Sequence, residues 1–220
     1  GSSLTAGNSL YIGDKGQGTL TVSNGGKVNA GPSIGIGNAS TGVGTATVTG
    51  AGTVLGTNGT AIIGNFGRGD LTVSAGGSVS AGGNALIGYT AGSAGTVTVS
   101  GSGSSLAVSR FTQVGDSGNG TLIASGGATV SLADGFAIGG AASGVGTATV
   151  TGAGTTLGAN GDVAIGAAGR GDLTVSNGAS VTARSNAYIG RFAGSTGTVT
   201  VSGSGSSLAA NGFTQVGDAG

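Results

Sequence analysis

Residues 95–106 read GTVTVSGSGSSL, and the same letters return at 197–208. A closely related stretch at 18–28 reads GTLTVSNGGKV. In each of them apolar residues alternate with Thr or Ser, which is the period of a β-strand with one buried face. Glycines follow at once, as they do where a chain turns. The stretch therefore predicts a strand, a tight turn and a second strand, and its return predicts a repeated fold.

The dipeptide Ile/Val-Gly marks the same repeat along the whole chain, in steps that alternate between 24 and 27 residues. Its apolar members are Ile12, Ile36, Ile63, Ile87, Val114, Ile138, Ile165, Ile189 and Val216. Two further apolar columns keep this rhythm, one beginning at Val22 and the other at Val28. Two steps make a repeat of 51 residues. A unit this short cannot bury its apolar face alone, so the pattern predicts a stack of units.

Each unit contains three alternating runs: the first ends in Ile/Val-Gly, the second resembles TLTVS, and the third centres on Val or Leu. Three short strands and three corners in about 25 residues indicate one coil of a parallel β-helix. We therefore predict an all-β solenoid in which residues 1–220 form a single segment of about eight and a half coils. The predicted core has five inward residues per coil, which in the fourth coil are Ala85, Ile87, Val97, Val99 and Leu106.

A β-propeller is the main alternative fold, because a blade of about 50 residues would match the longer repeat. Blades are antiparallel and need hairpin signals, and they usually carry periodic aromatic residues. Three runs in each half-repeat favour the β-helix instead.

The composition excludes several classes of function. Seven Asp and no Glu balance seven Lys and Arg, so no basic surface is available for nucleic acid. The chain has no Cys and no His, and we predict no cofactor, no metal and no thiol chemistry. No apolar run approaches the roughly 18 residues that a membrane-spanning helix needs. Since Met is absent and both ends fall in mid-repeat, we expect further repeats on either side.

The motifs at 18–28 and 95–106, each followed by the Ile/Val-Gly run, resemble the passenger region of bacterial autotransporters, the type V secretion adhesins. The resemblance covers the entire chain. It implies a right-handed β-helix displayed on the surface of a Gram-negative cell, with a signal peptide before it and an outer-membrane barrel after it. It also implies a secreted stalk or adhesin whose partners are molecules of host or neighbouring cells, or further copies of itself.

Two motifs could carry binding. The outer face of the second run places in one predicted column Thr21, Thr47, Thr72, Thr98, Thr149, Thr174 and Thr200, broken only at Ile123. Flat Thr ranks on a β-solenoid resemble the surfaces of ice-binding proteins, although Thr is also a good exposed strand residue that stacks on itself. The second motif is the integrin-type tripeptide, at Arg68, Gly69 and Asp70 and again at Arg170, Gly171 and Asp172. Alternatively, each Asp merely replaces the Thr of other coils, and the second copy follows from duplication.

A polysaccharide-acting enzyme on this fold would need clustered carboxylates or a Lys or Arg base. Asp14, Asp116 and Asp218 share a loop position in distant coils. Only Asp134 and Asp162 fall at the same corner of successive coils, and we expect no basic residue beside them. We therefore predict that the chain is not an enzyme and assign no catalytic residues.

Overall fold

The computed structural model describes residues 1–217 and confirms the predicted all-β solenoid. Every strand pairs in parallel with its equivalents in the neighbouring coils, and the strands form three separate sheets. Asp218, one of the three loop acids considered above, lies outside the described residues. We number each coil by its Ile/Val-Gly dipeptide, from Ile12 in coil 1 to Val216 in coil 9.

Sheet A contains the third run of each coil. Its nine strands are β1 (Ser3–Ala6), β4 (Lys27–Ala30), β7 (Val54–Thr57), β10 (Ser78–Ala81), β13 (Ser105–Val108), β16 (Thr129–Leu132), β19 (Thr156–Ala159), β22 (Ser180–Ala183) and β25 (Ser207–Ala210).

Sheet B contains the first run, which ends in the Ile/Val of the dipeptide. Its nine strands are β2 (Leu10–Ile12), β5 (Ser33–Ile36), β8 (Thr60–Ile63), β11 (Ala85–Ile87), β14 (Thr112–Val114), β17 (Phe136–Ile138), β20 (Val163–Ile165), β23 (Ala187–Ile189) and β26 (Thr214–Val216).

Sheet C contains the second run and has the longest strands. Its eight strands are β3 (Gln17–Ser23), β6 (Val43–Thr49), β9 (Arg68–Ser74), β12 (Ala94–Ser100), β15 (Asn119–Ser125), β18 (Val145–Thr151), β21 (Arg170–Ser176) and β24 (Thr196–Ser202).

The pairing register reproduces the alternating repeat. In sheet A, Ser3 pairs with Lys27 and Lys27 with Val54, which are steps of 24 and 27 residues. In sheet B, Ile87 lies between Ile63 and Val114, as the dipeptide column predicts. Like residues therefore stack on like residues over the length of the coil. With strands about 4.8 Å apart, nine of them give a stack roughly 40 Å long.

The core is a thin apolar column inside the coil, and the predicted inward residues of coil 4 are all buried. Complete burial of a side chain such as Ile87 contributes about 1.5–3 kcal/mol. The core residues become exposed at the two ends of the stack, where a neighbouring coil is present on one side only. Leu4, before the first coil, is 48% exposed and Val216 in the last coil is 73% exposed. The central coils are therefore better protected from water than the two ends.

The prediction of five inward residues per coil is wrong, because each sheet A strand contributes a second one. This sixth column contains Ala30, Thr57, Ala81, Val108, Leu132, Ala159 and Ala183, all of them buried. It was missed because most of its members are Ala or Thr, which do not stand out in an apolar pattern. These small residues match the narrow interior, where Phe136 is the one aromatic ring of the buried core among residues 1–217.

A buried hydroxyl closes the longer of the two corners between sheets C and A. In coil 2, the Thr53 hydroxyl donates to the Thr49 carbonyl (3.0 Å) and accepts a hydrogen bond from the Gly25 amide (3.0 Å). Thr155 makes the same two bonds one large repeat later. The hydroxyl thereby ties this corner to the turn of the preceding coil and pairs one backbone group in each coil.

Candidate functional site

Sheet C presents the predicted Thr column to solvent. Parallel pairing joins Thr21 to Thr47 at one end and Thr174 to Thr200 at the other, and the intervening members follow in unbroken register. Ile123 takes the place of Thr in coil 5, as the sequence indicates. The column is therefore a straight row of side chains spaced by about 4.8 Å, the distance between strands.

Further hydroxyl columns flank the Thr row on sheet C. One contains Thr19, Thr45, Thr96, Thr121, Thr147 and Thr198, interrupted by Asp70 and Asp172. The other contains Ser23, Thr49, Ser74, Ser100, Ser125, Thr151, Ser176 and Ser202 and was not singled out from the sequence. In this last column some hydroxyls bond along the row, as Ser74 does to Thr49 at 3.0 Å. Sheet C thus has a flat outer face made chiefly of hydroxyl groups.

The two integrin-type tripeptides lie at the start of sheet C strands. In β9, Arg68 and Asp70 project to the same side and pair with each other, with 3.0 Å between Nε and Oδ2. Arg170 and Asp172 repeat this geometry in β21, also at 3.0 Å. The arginines are 67% and 62% exposed, so each ion pair contributes little to stability.

The glycine of each tripeptide has a packing role of its own. A Cβ on Gly69 would lie 2.3 Å from the Ile36 carbonyl oxygen and 2.5 Å from the Gly64 amide nitrogen. Gly171 is equally close to the Gly166 amide, at 2.2 Å. The equivalent position in every coil from Gly18 to Gly197 is glycine. The corner therefore requires glycine here whether or not the flanking Arg and Asp bind a partner.

The corner between sheets A and B holds Asp134 and Asp162, but our expectation of no basic neighbour is wrong. Arg110 occupies the same corner position as Asp134, one coil earlier. Val108 pairs with Leu132, and Arg110 and Asp134 follow these two residues at the same distance. Arg191 lies close enough to Asp162 to influence its ionisation. The proximity of Arg191 to Asp162 is not apparent from the spacing of the sequence, since Arg191 follows a different corner.

The Asp162 carboxylate is held by the next coil. Its Oδ1 accepts hydrogen bonds from the backbone amide of Asn186 (3.0 Å) and from the Asn186 side chain (3.2 Å). Partial burial would raise the pKa of Asp162, but a hydrogen bond from Ser185 and the two from Asn186 oppose this effect. The positive charge of Arg191 acts in the same direction, and the pKa lies below its ordinary value. Asp162 is therefore a charged structural acceptor rather than a proton donor.

Sheet B carries a surface that sequence reasoning missed. Seven of the eight aromatic residues lie on its outer face or in the corners beside it: Tyr11, Phe66, Tyr89, Phe111, Tyr188, Phe192 and Phe213. The eighth, Phe136, points inward. A signal was present in the sequence, because each of these seven residues falls within three positions of an Ile/Val-Gly dipeptide. Aromatic side chains therefore mark one face of the coil.

The ring contacts of this surface lie in one place, the aromatic cluster of Tyr188, Arg191, Phe192 and Phe213. The Tyr188 and Phe213 rings meet edge to face, with centroids 5.4 Å apart and an interplanar angle of 88°. The Arg191 guanidinium stacks 4.2 Å from the Tyr188 centroid and 5.2 Å from that of Phe192. Both contacts are within the range of favourable aromatic and cation–π interactions.

Small residues form the floor beside the cluster. Ala137 and Ala164 face outward on sheet B yet are buried, because Phe111 and Tyr188 pack against them together with Ala167. Phe111 reaches over the next coil, where a Cβ on Gly135 would lie 2.9 Å from the ring. The result is a small apolar patch partly covered by two aromatic rings.

Sheet A has a shallow depression of about 470 Å³ over Ala107, Ser131 and Gly158, with Arg184 at its edge. The polar side chains of its lining are those of Ser109, Ser131, Asn160, Thr182 and Arg184. No group of three acids or other metal-ligating side chains occurs among residues 1–217. The same residues include no helix long and apolar enough to cross a membrane.

Comparison of the chain with protein-family models, curated proteins and solved structures gives no match. The faces of the coil and the motif resemblance are therefore the grounds on which a function can be proposed.

Proposed function

We propose that the chain is a rigid structural segment of a secreted bacterial surface protein, a stalk or adhesin segment of the autotransporter type. The observation that carries the proposal is the uninterrupted register of all three sheets from Ser3 to Val216. Each coil is hydrogen-bonded to the next along three sides, so the stack resists bending and holds its two ends a fixed distance apart. The motif resemblance supports display outside the cell.

The adhesive part of this proposal concerns the lateral faces, because these are broad and polar while the interior is filled. Display of the chain on the surface of a non-adherent bacterium should increase attachment to host cells or to neighbouring bacteria. The matched control is a display fusion of a folded solenoid of equal length whose surface residues are unrelated to those of this chain. Equal attachment by both fusions would contradict an adhesive role, and the chain would then act only as a spacer.

The integrin-type tripeptides can be tested separately. Replacing Asp70 and Asp172 together by Thr introduces the residue that other coils carry at this position, so the fold should be retained. If the tripeptide is the adhesive element, attachment to integrin-bearing cells should fall to the level of the control fusion. Unchanged attachment would show that Asp70 and Asp172 serve only in their ion pairs with Arg68 and Arg170.

Ice binding is the second candidate, and the in-register Thr columns of sheet C favour it. It predicts thermal hysteresis in solutions of the purified protein. Replacing Thr98 and Thr149 by Tyr should abolish the hysteresis without unfolding the chain, because both side chains face outward. The same enlargement at Ser131 and Thr182 on sheet A is the control. Absence of hysteresis in the unmodified protein would eliminate this candidate.

A further inference from the structure

From the geometry of the aromatic cluster we infer that sheet B binds a neutral polysaccharide at Tyr188, Arg191, Phe192 and Phe213. Sugar rings would stack on the open faces of Phe192 and Phe213, while the Arg191 guanidinium and the Asn186 amide would meet the hydroxyl groups. A pyranose has an apolar C–H face and a rim of hydroxyls, so it needs both kinds of partner. Aromatic rings beside planar polar groups provide them.

The rings of the cluster are available and held in place. Phe192 is 53% exposed. Phe213 lies in the last coil and is 52% exposed, whereas its equivalent Phe111, with further coils beside it, is partly buried. A polar ladder supports Phe213, because Asp162 holds Asn186 and the Asn186 side-chain oxygen accepts a hydrogen bond from the Phe213 amide at 3.2 Å. A site that is ordered before binding loses less conformational freedom when the ligand arrives.

Charge favours a neutral ligand over an acidic one. The charge of Arg191 is opposed by that of the Asp162 carboxylate, because the two groups are close enough for Arg191 to help lower the pKa of Asp162. Along sheet B and its corners within residues 1–217, four acids (Asp14, Asp116, Asp134 and Asp162) match four bases (Lys15, Arg110, Arg184 and Arg191). No excess of positive charge is left to attract a polyanion or an anionic membrane.

Size disfavours a second protein. Four side chains, two of them half exposed, offer a few hundred Å² at most, whereas a stable protein interface buries about 800 Å² on each partner. A linear glycan fits such a surface better. One sugar unit of an extended polysaccharide is also close in length to the strand spacing of about 4.8 Å, so successive sugars could follow successive coils.

The internal duplication shows that the fold does not require the aromatic cluster. Residues 84–111 and 186–213 are nearly the same sequence in equivalent coils. Within them, Leu86, Tyr89 and Thr90 of the first copy are replaced by Tyr188, Arg191 and Phe192 in the second. The coil therefore forms without the cluster, which makes the first copy a template for a variant that removes it.

The test uses isothermal titration of the 220-residue chain with neutral hexasaccharides: cellohexaose, xylohexaose, mannohexaose and chitohexaose. The swap variant, Tyr188→Leu with Arg191→Tyr and Phe192→Thr, should bind the preferred hexasaccharide at least tenfold more weakly. The single variant Phe192→Thr should also lose affinity, and it tests the site should the swap variant fail to fold. Phe66→Thr removes an equally exposed ring outside the cluster and should leave affinity unchanged.

Several results would overturn the inference. These are no heat of binding with any of the four hexasaccharides, equal affinity in the swap variant, or equal loss in Phe66→Thr. Preferential binding of oligogalacturonate or heparin hexasaccharide would replace the neutral ligand by an acidic one. Co-sedimentation with phosphatidylcholine vesicles that the swap variant abolishes would replace it by a membrane. The inference does not rest on the proposed stalk role, because attachment of displayed chains and sugar binding are measured independently.

Discussion

Replacing Thr112 by Val should stabilise the protein. Thr112 begins β14, is fully buried, and lies between the apolar side chains of Ala85 and Phe136 in the inward column of sheet B. Its Oγ1 has no hydrogen-bond partner among residues 1–217. A buried hydroxyl without a partner costs about 1–3 kcal/mol relative to its solvated state. Val has nearly the same shape, so the change removes that cost without creating a cavity.

We therefore expect the free energy of unfolding to rise by about 1–2 kcal/mol, and the melting temperature by roughly 2–4 °C for each kcal/mol. Urea denaturation followed by far-ultraviolet circular dichroism measures the first quantity, and a thermal scan the second. Thr214 is the matched control, because it occupies the same position one 102-residue repeat later but is exposed. Thr214→Val should change stability by less than about 0.5 kcal/mol.

The reasoning would be refuted if Thr112→Val were as stable as the unmodified protein, or less stable. That result would mean either that the Thr112 hydroxyl has a hydrogen-bond partner in solution or that the column tolerates an unpartnered hydroxyl at no cost. A gain of equal size in Thr214→Val would refute it in another way, because burial would then not be the cause.

Three further predictions concern the core, a turn and pH. Ile87→Asp places an unpaired charge in the core and should lower the free energy of unfolding by several kcal/mol. Leu86→Asp, on the outer face of the same strand, should lower it far less. Similar melting temperatures for the two variants would contradict the inward position of Ile87. Ala75 adopts a left-handed backbone (φ 51°), so Ala75→Asn should stabilise by about 1 kcal/mol in urea titration, and a loss would show that the turn is not strained. The lowered pKa of Asp162 means that its charge stabilises the fold above the unfolded value near 3.8 and that this contribution disappears as the pH falls through the folded pKa. The advantage of the unmodified protein over Asp162→Asn, measured by urea titration, should therefore shrink below about pH 4, and an advantage that stays constant as the pH falls would contradict this reasoning.

The sequence by itself determined the solenoid, the alternating register and most of the core. A parallel stack places each residue beside its own repeat, so the spacing of Ile63, Ile87 and Val114 was enough to predict that they touch. Alternation with period two also decided which side of each strand faces inward, and hence that Thr98 and its equivalents form one outer row.

The tertiary structure alone decided what happens at the corners and at the small residues. Ala81 is inward, but a methyl group leaves too weak an apolar signal to be read from spacing. At corners no period fixes the direction of a side chain. The stacking of Arg191 on Tyr188 and its electrostatic effect on Asp162 therefore depend on how two different loops fold over the same sheet. The aromatic cluster joins residues from separate coils, and only their packing on sheet B brings Tyr188 and Phe213 together. Periodicity determines stacking along the coil axis, whereas lateral packing depends on loop geometry, and it is the lateral packing that creates the surface we propose for binding.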